Sequence, residues 1–372
     1  MNIVEKLDLA IKLKEVGTTD GAYEVLYNGD KRRKQTYMRN DEWKKLFDNM
    51  PEITREEFGN GGGAEMSEKN GRPPKMACYG SSSRMTYMLS WEKEDFHFEK
   101  KLPTTVGGQA NLDGFFEAGD YYFFVEAKCH EPYSTKNNVV SVCYERLYKY
   151  INACMQDRLH IDMKCRTTDH NMNVEYFAGG EKIIHFDLKQ MICHLLGVAT
   201  GLLKGKLARK QIEFIYLFYD PTGLDICADA RSKINEIYER TCYECNLVDF
   251  RELFRVIVEF LLKEKFKKQK IEDYSAIIDS FSFMLVSHEL YAMMLPHIAK
   301  TADEETFYIT KDFVDGTKEV VCRLKCNNAQ AHAVFLRIIC EQQKEYRRSH
   351  SERWRIIRLF DSKSKAEICR ES

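Results

Sequence analysis

Residues 112–128 read LDGFFEAGDYYFFVEAK. Two apolar runs flank the turn signal Ala118-Gly119-Asp120, the pattern of two strands folded into a hairpin. The charges sit at one end: Asp113 near the start, Glu126 and Lys128 at the finish. Successive strand residues alternate faces, so Glu126 and Lys128 point one way while Val125 and Ala127 point the other. A two-residue loop at Gly119-Asp120 pairs position 113 directly with 126. A loop at Ala118-Gly119 sets 113 opposite 124 and diagonal to 126. In both registers Asp113 and Glu126 share a face, whereas a three-residue loop breaks this unless a bulge restores it.

Directly opposed strand residues have Cβ atoms roughly 4.5–5.5 Å apart. Two carboxylates that close repel, and burial makes the repulsion worse. A divalent cation with oxygen preference compensates, and Mg²⁺ needs only one or two carboxylates beside water and phosphate oxygens. Lys128, next along the same face, is placed to orient or deprotonate an attacking water, or to neutralise charge on a pentavalent phosphate. The bare tripeptide Glu-x-Lys carries little weight, because Glu42-Trp-Lys44 and Glu99-Lys-Lys101 also match it. The context carries the reading. An edge hairpin with surface ion pairs is the plain alternative, and YYFFV is too apolar for a solvated strand.

The rest of the chain sets bounds. Its 372 residues suffice for two domains, or one elaborated domain with an appendage. Lys plus Arg number 56 against 57 Asp plus Glu, for a net charge of −1, so no global basic field points to nucleic acid and any such contact must be local. Thirteen scattered cysteines, an odd count, do not suggest a disulfide framework. The first residues, MNIVEKLDLAIKLKEVG, lack a signal-peptide core, and no apolar run reaches the ~18–20 residues that span a bilayer. The expectation is a reduced cytoplasmic protein without a membrane segment. Cys242-Tyr-Glu-Cys245 is the one CxxC; with no second ligand pair nearby it reads as packing thiols, as do Cys129-His130 and Cys193-His194.

Residues 1–58 read as helical and charged. The Gly-rich stretch 59–63 is the strongest break in the chain. Ser81, Ser82 and Ser83 are N-cap candidates for a short helix through Trp91. FHFEKKL, LDGFFE and YYFFVEAKC read as strands, TKNNVVSVCYERLYKYINACMQDRL as mostly helix, HFDLKQMICHLLGVATG as an amphipathic helix and IEFIYLFY as a buried strand. Two helices with a short strand between them fill 228–263. Beyond a basic stretch at 263–270, we expect an apolar helix around 274–295, a hairpin turning at Asp315-Gly316 and a long terminal helix. The domain expectation is 1–262, with a core from about 60, followed by a C-terminal α+β region, 263–372.

The order of these elements and the Asp113…Glu126-x-Lys128 set resemble the PD-(D/E)xK nuclease superfamily, with its restriction-endonuclease-like αβββαβ core: a mixed central sheet flanked by helices. The likeness covers roughly 60–262. Its details are similar to an uncharacterised bacterial branch through GGGAE, PPKMACYGSSS, LDG, EAKCHEPYS and DLKQMICHLLG. Leu112 replaces the proline of the motif. The resemblance implies Asp113 and Glu126 as metal ligands for Mg²⁺ (or Mn²⁺) and Lys128 as catalytic. Glu65 is the choice for the further acid, ahead of Glu94 and Glu99, against the bland reading of a solvated loop residue. Superfamily members often direct a Gln or a basic residue from the later helix toward the site. Gln190 and His194 are the counterparts here, although Asp187-x-x-Gln190 also reads as a capping box. Ser82, Ser83, Arg84, His130 and Tyr133 stand where residues touch a nucleic-acid backbone, each with an equally ordinary structural role. The basic runs 204–210 and 263–270 and the pair Arg347-Arg348 are available to track phosphates, or to serve as solvated faces.

The implied activity is metal-dependent phosphodiester hydrolysis of nucleic acid, DNA foremost, in restriction, defence or repair. A double-strand cut favours a homodimer. Two rivals stand beside it: a non-catalytic nucleic-acid-binding or assembly module on the same fold, and an enzyme of other chemistry built on a surface hairpin.

Overall fold

The computed structural model describes residues 3–18, 23–26, 34–61, 65–69, 72–93, 95–133, 138–158, 161–221, 224–289, 291–292 and 295. It also describes the strands Glu305–Phe313, Lys318–Cys326, Trp354–Asp361 and Glu367–Glu371. The turn residues 222–223 and 315–316, Gly62 to Ala64 of GGGAE, Glu94 and the pair Arg347-Arg348 lie outside the described residues.

A five-stranded mixed sheet organises the core. The strands His97–Pro103, Gln109–Ala118 and Tyr121–Lys128 run antiparallel in sequence order, and Gln211–Phe218 then pairs parallel to Tyr121–Lys128. The strands expected from FHFEKKL, LDGFFE, YYFFVEAKC and IEFIYLFY are all present. The hairpin closes through Gly119-Asp120, with Ala118 paired to Tyr121 and Gly114 to Val125. This is the register that sets position 113 against 126.

Strand Tyr121–Lys128 is buried from end to end. Its alternate residues feed two separate apolar clusters, one on each face of the sheet. Tyr122 and Phe124 join helix Leu188–Leu203, helix Phe250–Glu264 and helix Glu145–Arg158. Tyr121, Phe123, Val125 and Ala127 join helix Ile3–Val16 and helix Ser82–Ser90 on the other face. The aromatic run locks the hairpin crosswise: Phe116 stacks on Phe123 at 4.5 Å, and Phe115 lies 5.2 Å from Phe124. Such pairs contribute about 0.5–1.5 kcal/mol each beyond burial.

Helix Leu188–Leu203 starts where Asp187 caps it, the side chain accepting from Gln190 N at 3.0 Å. It lies very close to the sheet at Gly197, where a Cβ would come within 2.6 Å of Ala110 Cβ. Glu244 anchors the approach to this helix. Its buried carboxylate accepts from the amides of Ile184, His185 and Phe186 at 3.0, 2.7 and 2.8 Å.

Several expectations need correction. The apolar helix expected around 274–295 is helical over Ser275–Ser280 and again at residues 288–289, 291–292 and 295, but not over 281–287. Ser282–Ser287 is a strand, paired parallel to Gln211–Phe218 as the fifth member of the sheet. Short apolar runs do not distinguish strand from helix, and here the free edge of the sheet decides. The core expected to end near 262 is therefore joined by a strand from beyond it. A hairpin of Tyr23–Leu26 and Lys34–Tyr37 interrupts the helical N-terminus. Helices Ala228–Asn246 and Phe250–Glu264 follow one another without the short strand expected between them. The end of the chain carries strands Trp354–Asp361 and Glu367–Glu371 where a helix was expected. The hairpin Glu305–Phe313 with Lys318–Cys326 is present.

The region after strand Tyr121–Lys128 also differs. Val139–Ser141 is a strand, helix Glu145–Arg158 follows, and Ile161–Thr167, Asn171–Ala178 and Glu181–Ile183 complete a small antiparallel sheet. NMNVEYFA alternates exposed and buried along its length, a period-two signal that is visible in the sequence. Among the described residues no helix is long and apolar enough to cross a membrane.

Candidate metal centre

The charged end of the hairpin is a closed cluster. Glu126 is fully buried and Lys128 nearly so. Lys128 Nζ donates to Glu126 Oε1 and, at 2.8 Å, to Gln190 Oε1. His194 Nε2 lies 2.8 Å from the other carboxylate oxygen, Glu126 Oε2, in ion-pair contact but without hydrogen-bond alignment. Four residues expected from sequence therefore meet: two from the strand and two from one side of helix Leu188–Leu203. That helix delivers Gln190 and His194 because they are four apart, about one turn.

Asp113 extends the register past its last paired rung, Gly114 with Val125. Its Oδ2 accepts from Ala127 N at 2.7 Å, so the carboxylate turns in toward the end of the neighbouring strand. Burial first, then the charge of Glu126, holds the Asp113 carboxyl well above its usual range. Burial pushes Glu126 the same way, but Lys128 and then His194 outweigh it and hold Glu126 below the ordinary value. For Lys128, burial favours the neutral amine. Glu126, followed by Glu131, overrides this and raises the amine well above its normal range. Lys128 is thus an ammonium in this state.

Glu65 is buried, which its Gly-rich setting did not announce. Its Oε1 accepts from Lys75 Nζ at 3.0 Å, and its Oε2 has no hydrogen-bond partner. Lys75 senses Glu65, Glu131 and Asp113 together, which places Glu65 at the margin of the same cluster. Glu131, three residues past the strand, accepts from Cys129 N at 2.7 Å. Burial would raise its carboxyl, but His130 and then Lys128 draw it down to about 2.

Two members escaped emphasis in the sequence. Glu99, ranked below Glu65 from sequence, is raised to about 7 by burial and then by Glu65, with Glu126 contributing. Its Oε2 packs against Gly61. A strand register counted across both hairpins would have found it. Tyr216 is paired with Glu126 across the parallel strands, is fully buried, and its hydroxyl has no hydrogen-bond partner. One Tyr in IEFIYLFY carries no signal of its own.

Of the residues expected to touch nucleic acid, His194 lies in this cluster and Tyr133 borders it, while the others separate from it. Ser82, Ser83 and Arg84 are buried in the helix start that Ser81 caps. Arg84 forks onto Glu15, with Nη1–Oε1 at 3.0 Å and Nη2–Oε2 at 2.6 Å, and lies over Tyr79. The guanidinium is committed to holding helix Ile3–Val16, so the structure gives these three an architectural role. His130 turns to Asp8, away from Gln190 and His194. Tyr133 lines a narrow cleft together with Lys128 and Cys129. In the basic run 204–210, Lys210 pairs with Glu117 at 2.9 Å and Arg209 lies over Tyr274, while Lys204 and Lys206 are exposed. Cys242 and Cys245 are buried, as packing thiols should be.

The donor set suits a hard divalent cation. Glu65 and Glu126 each present a buried carboxylate oxygen without a hydrogen bond, and two further acids, Asp113 and Glu99, are raised by burial and then by the neighbouring carboxylates Glu126 and Glu65 respectively. Oxygen donors short of compensation are what Mg²⁺ or Mn²⁺ takes. No protein-family model, curated protein or solved structure matches this chain.

Proposed function

We propose that the chain is a divalent-metal-dependent nuclease of the restriction-endonuclease-like type, hydrolysing phosphodiester bonds in nucleic acid, with DNA as the preferred substrate. The observation that carries this reading is Lys128 Nζ held between Glu126 Oε1 and Gln190 Oε1, with Asp113 in register against Glu126. The sheet order supports the same reading: three antiparallel strands, then a parallel fourth.

Asp113, Glu126 and Glu65 would hold the Mg²⁺ or Mn²⁺. When bound, the ion supplies Lewis acidity to a phosphate oxygen and acidity to a coordinated water. Lys128, already charged, stabilises negative charge developing on the phosphate and is a poor proton acceptor. Glu99, near neutrality, is the carboxylate suited to take up a proton from the attacking water. Gln190 fixes the Lys128 ammonium, and His194 balances Glu126. A cut through both strands of a duplex would call for two copies of the chain.

The test is cleavage of mixed single- and double-stranded DNA and RNA in Mg²⁺ and Mn²⁺, comparing the wild type with Lys128→Met and Asp113→Asn. The reading expects metal-dependent cleavage that both variants lose. Cleavage equal in all three proteins refutes the assignment. Binding of nucleic acid with no cleavage in any metal favours a non-catalytic module on this scaffold.

A further inference from the structure

On the opposite face of the sheet from Gln190 and His194, three other side chains converge. Asp8 comes from helix Ile3–Val16, Cys78 follows the short turn Lys75–Ala77, and His130 follows strand Tyr121–Lys128. One donor atom from each lies within 4.8 Å of the other two. Asp8 is fully buried and Cys78 nearly so, while His130 keeps a little exposure at the rim.

The Asp8 carboxylate is poorly satisfied for a fully buried charge. Its Oδ2 accepts from Thr36 N at 3.3 Å and lies 3.6 Å from Cys78 Sγ. Its Oδ1 has no hydrogen-bond partner and lies 3.4 Å from His130 Nδ1. Charge-assisted bonds to a carboxylate are normally about 2.7–2.9 Å. The His130 contact is longer than that, so the imidazole and the carboxylate face each other without closing a bond. The spacing has a meaning. Zinc bonds of about 2.0–2.3 Å at a tetrahedral angle set neighbouring donors roughly 3.3–3.6 Å apart. The Asp8 Oδ1–His130 Nδ1 separation falls in that range, and Cys78 Sγ lies against the other oxygen of the same carboxylate, Oδ2. Gly80 closes the site from the backbone: a Cβ there would stand 1.9 Å from Asp8 Oδ1 and 2.6 Å from His130 Nδ1.

We infer that Asp8, Cys78 and His130 form a zinc site, with water as the fourth ligand on the His130 side. One thiolate, one imidazole and one carboxylate make a mixed S, N, O set, which favours Zn²⁺ over the oxygen-seeking Mg²⁺ or Ca²⁺. On binding, the Cys78 thiol releases its proton to solvent and its sulfur lone pair forms the bond to the metal. The ion ties the N-terminal helix and the 75–80 segment to the loop that carries Glu131, three residues from Lys128. The site is independent of the nuclease reading, because none of its ligands belongs to the Asp113 cluster.

The full chain, purified without chelator, tests this. Elemental analysis should give roughly stoichiometric zinc. After stripping and addition of Co²⁺, a thiolate-to-cobalt charge-transfer band should appear in the near ultraviolet. Cys78→Ser should lose that band, and Asp113→Asn should keep it. Zn²⁺ added to stripped wild type should raise the thermal midpoint. His130→Ala, a change at the partly exposed rim that leaves the buried donors in place, should lose that rise while keeping the wild-type circular dichroism. No metal uptake by the wild type overturns the inference, as does a cobalt band that survives Cys78→Ser or a zinc-induced rise that survives His130→Ala.

Discussion

Glu99 stands opposite Asp113 across the first antiparallel pair, between the rungs Phe98–Gly114 and Lys100–Leu112. It is the one non-glycine residue with positive φ among the described residues, at 50°. A left-handed backbone costs a branched or long side chain about 1–3 kcal/mol. The strand accepts this at the level where Asp113 and Glu126 face one another on the next two strands. Three acids thus occupy one level of three adjacent strands.

The raised Glu99 carboxyl predicts a pH dependence. Its folded value of about 7 lies above the ordinary 4.5, so the folded chain holds this proton more tightly than the unfolded chain does. Glu99 therefore costs nothing below about pH 4.5, and its penalty grows as pH rises to about 7, where it is complete. At 1.36 kcal/mol per unit the full penalty is on the order of 3 kcal/mol. Glu99→Gln should raise metal-free stability above neutral pH and flatten the slope between those two values, as read by urea titration. Mg²⁺ or Mn²⁺ should stabilise the wild type more above pH 7 than below it.

Breaking the buried pair should be costly from either side. Lys128→Met leaves the buried Glu126 without its ammonium partner, and removal of one partner of a buried pair typically costs about 3–5 kcal/mol. The double variant Lys128→Met/Glu126→Gln removes both charges and should recover most of that loss. A denaturant-based double-mutant cycle measures the difference, and cleavage should remain absent in both proteins.

Gln190 acts through Lys128. Gln190→Leu removes an acceptor from a charged donor, a bond worth about 1.5–3 kcal/mol. The expected kinetic signature is a fall in kcat with KM little changed. Gln190→Glu keeps an acceptor and should restore part of the rate.

Glu244 supports the site from a distance. Its carboxylate satisfies three consecutive amides just before helix Leu188–Leu203. Glu244→Ala strands those donors in a buried setting, at about 1–3 kcal/mol for each that water cannot reach. A loss of several kcal/mol is expected by urea titration, with faster amide exchange over 184–190.

The catalytic-type hairpin was legible because strand periodicity and a two-residue turn leave little freedom. Asp113, Glu126 and Lys128 could be assigned to one end by counting. Gln190 and His194 were legible as one side of an amphipathic helix. The strand Ser282–Ser287 was not, because an apolar hexapeptide fits a helix as well as a sheet edge until the edge is there to receive it. The partner of Arg84 was hidden for a related reason: a guanidinium beside hydroxyls suits a phosphate or a structural role, and only packing shows that Glu15 pairs with it.

The sequence by itself determined where the hairpin turns, which residues alternate onto each face, and that charge collects at one end of an apolar strand. Those are local properties, set by backbone geometry and side-chain period. Tertiary structure alone decided which distant groups complete that charge: Glu65 and Lys75 from before the sheet, Glu99 from the neighbouring strand, and Gln190 and His194 from helix Leu188–Leu203. It also brought Asp8, Cys78 and His130 together from three separate segments. Burial makes these meetings matter, since removing water turns each unpaired carboxylate into a demand for a cation that no spacing along the chain displays.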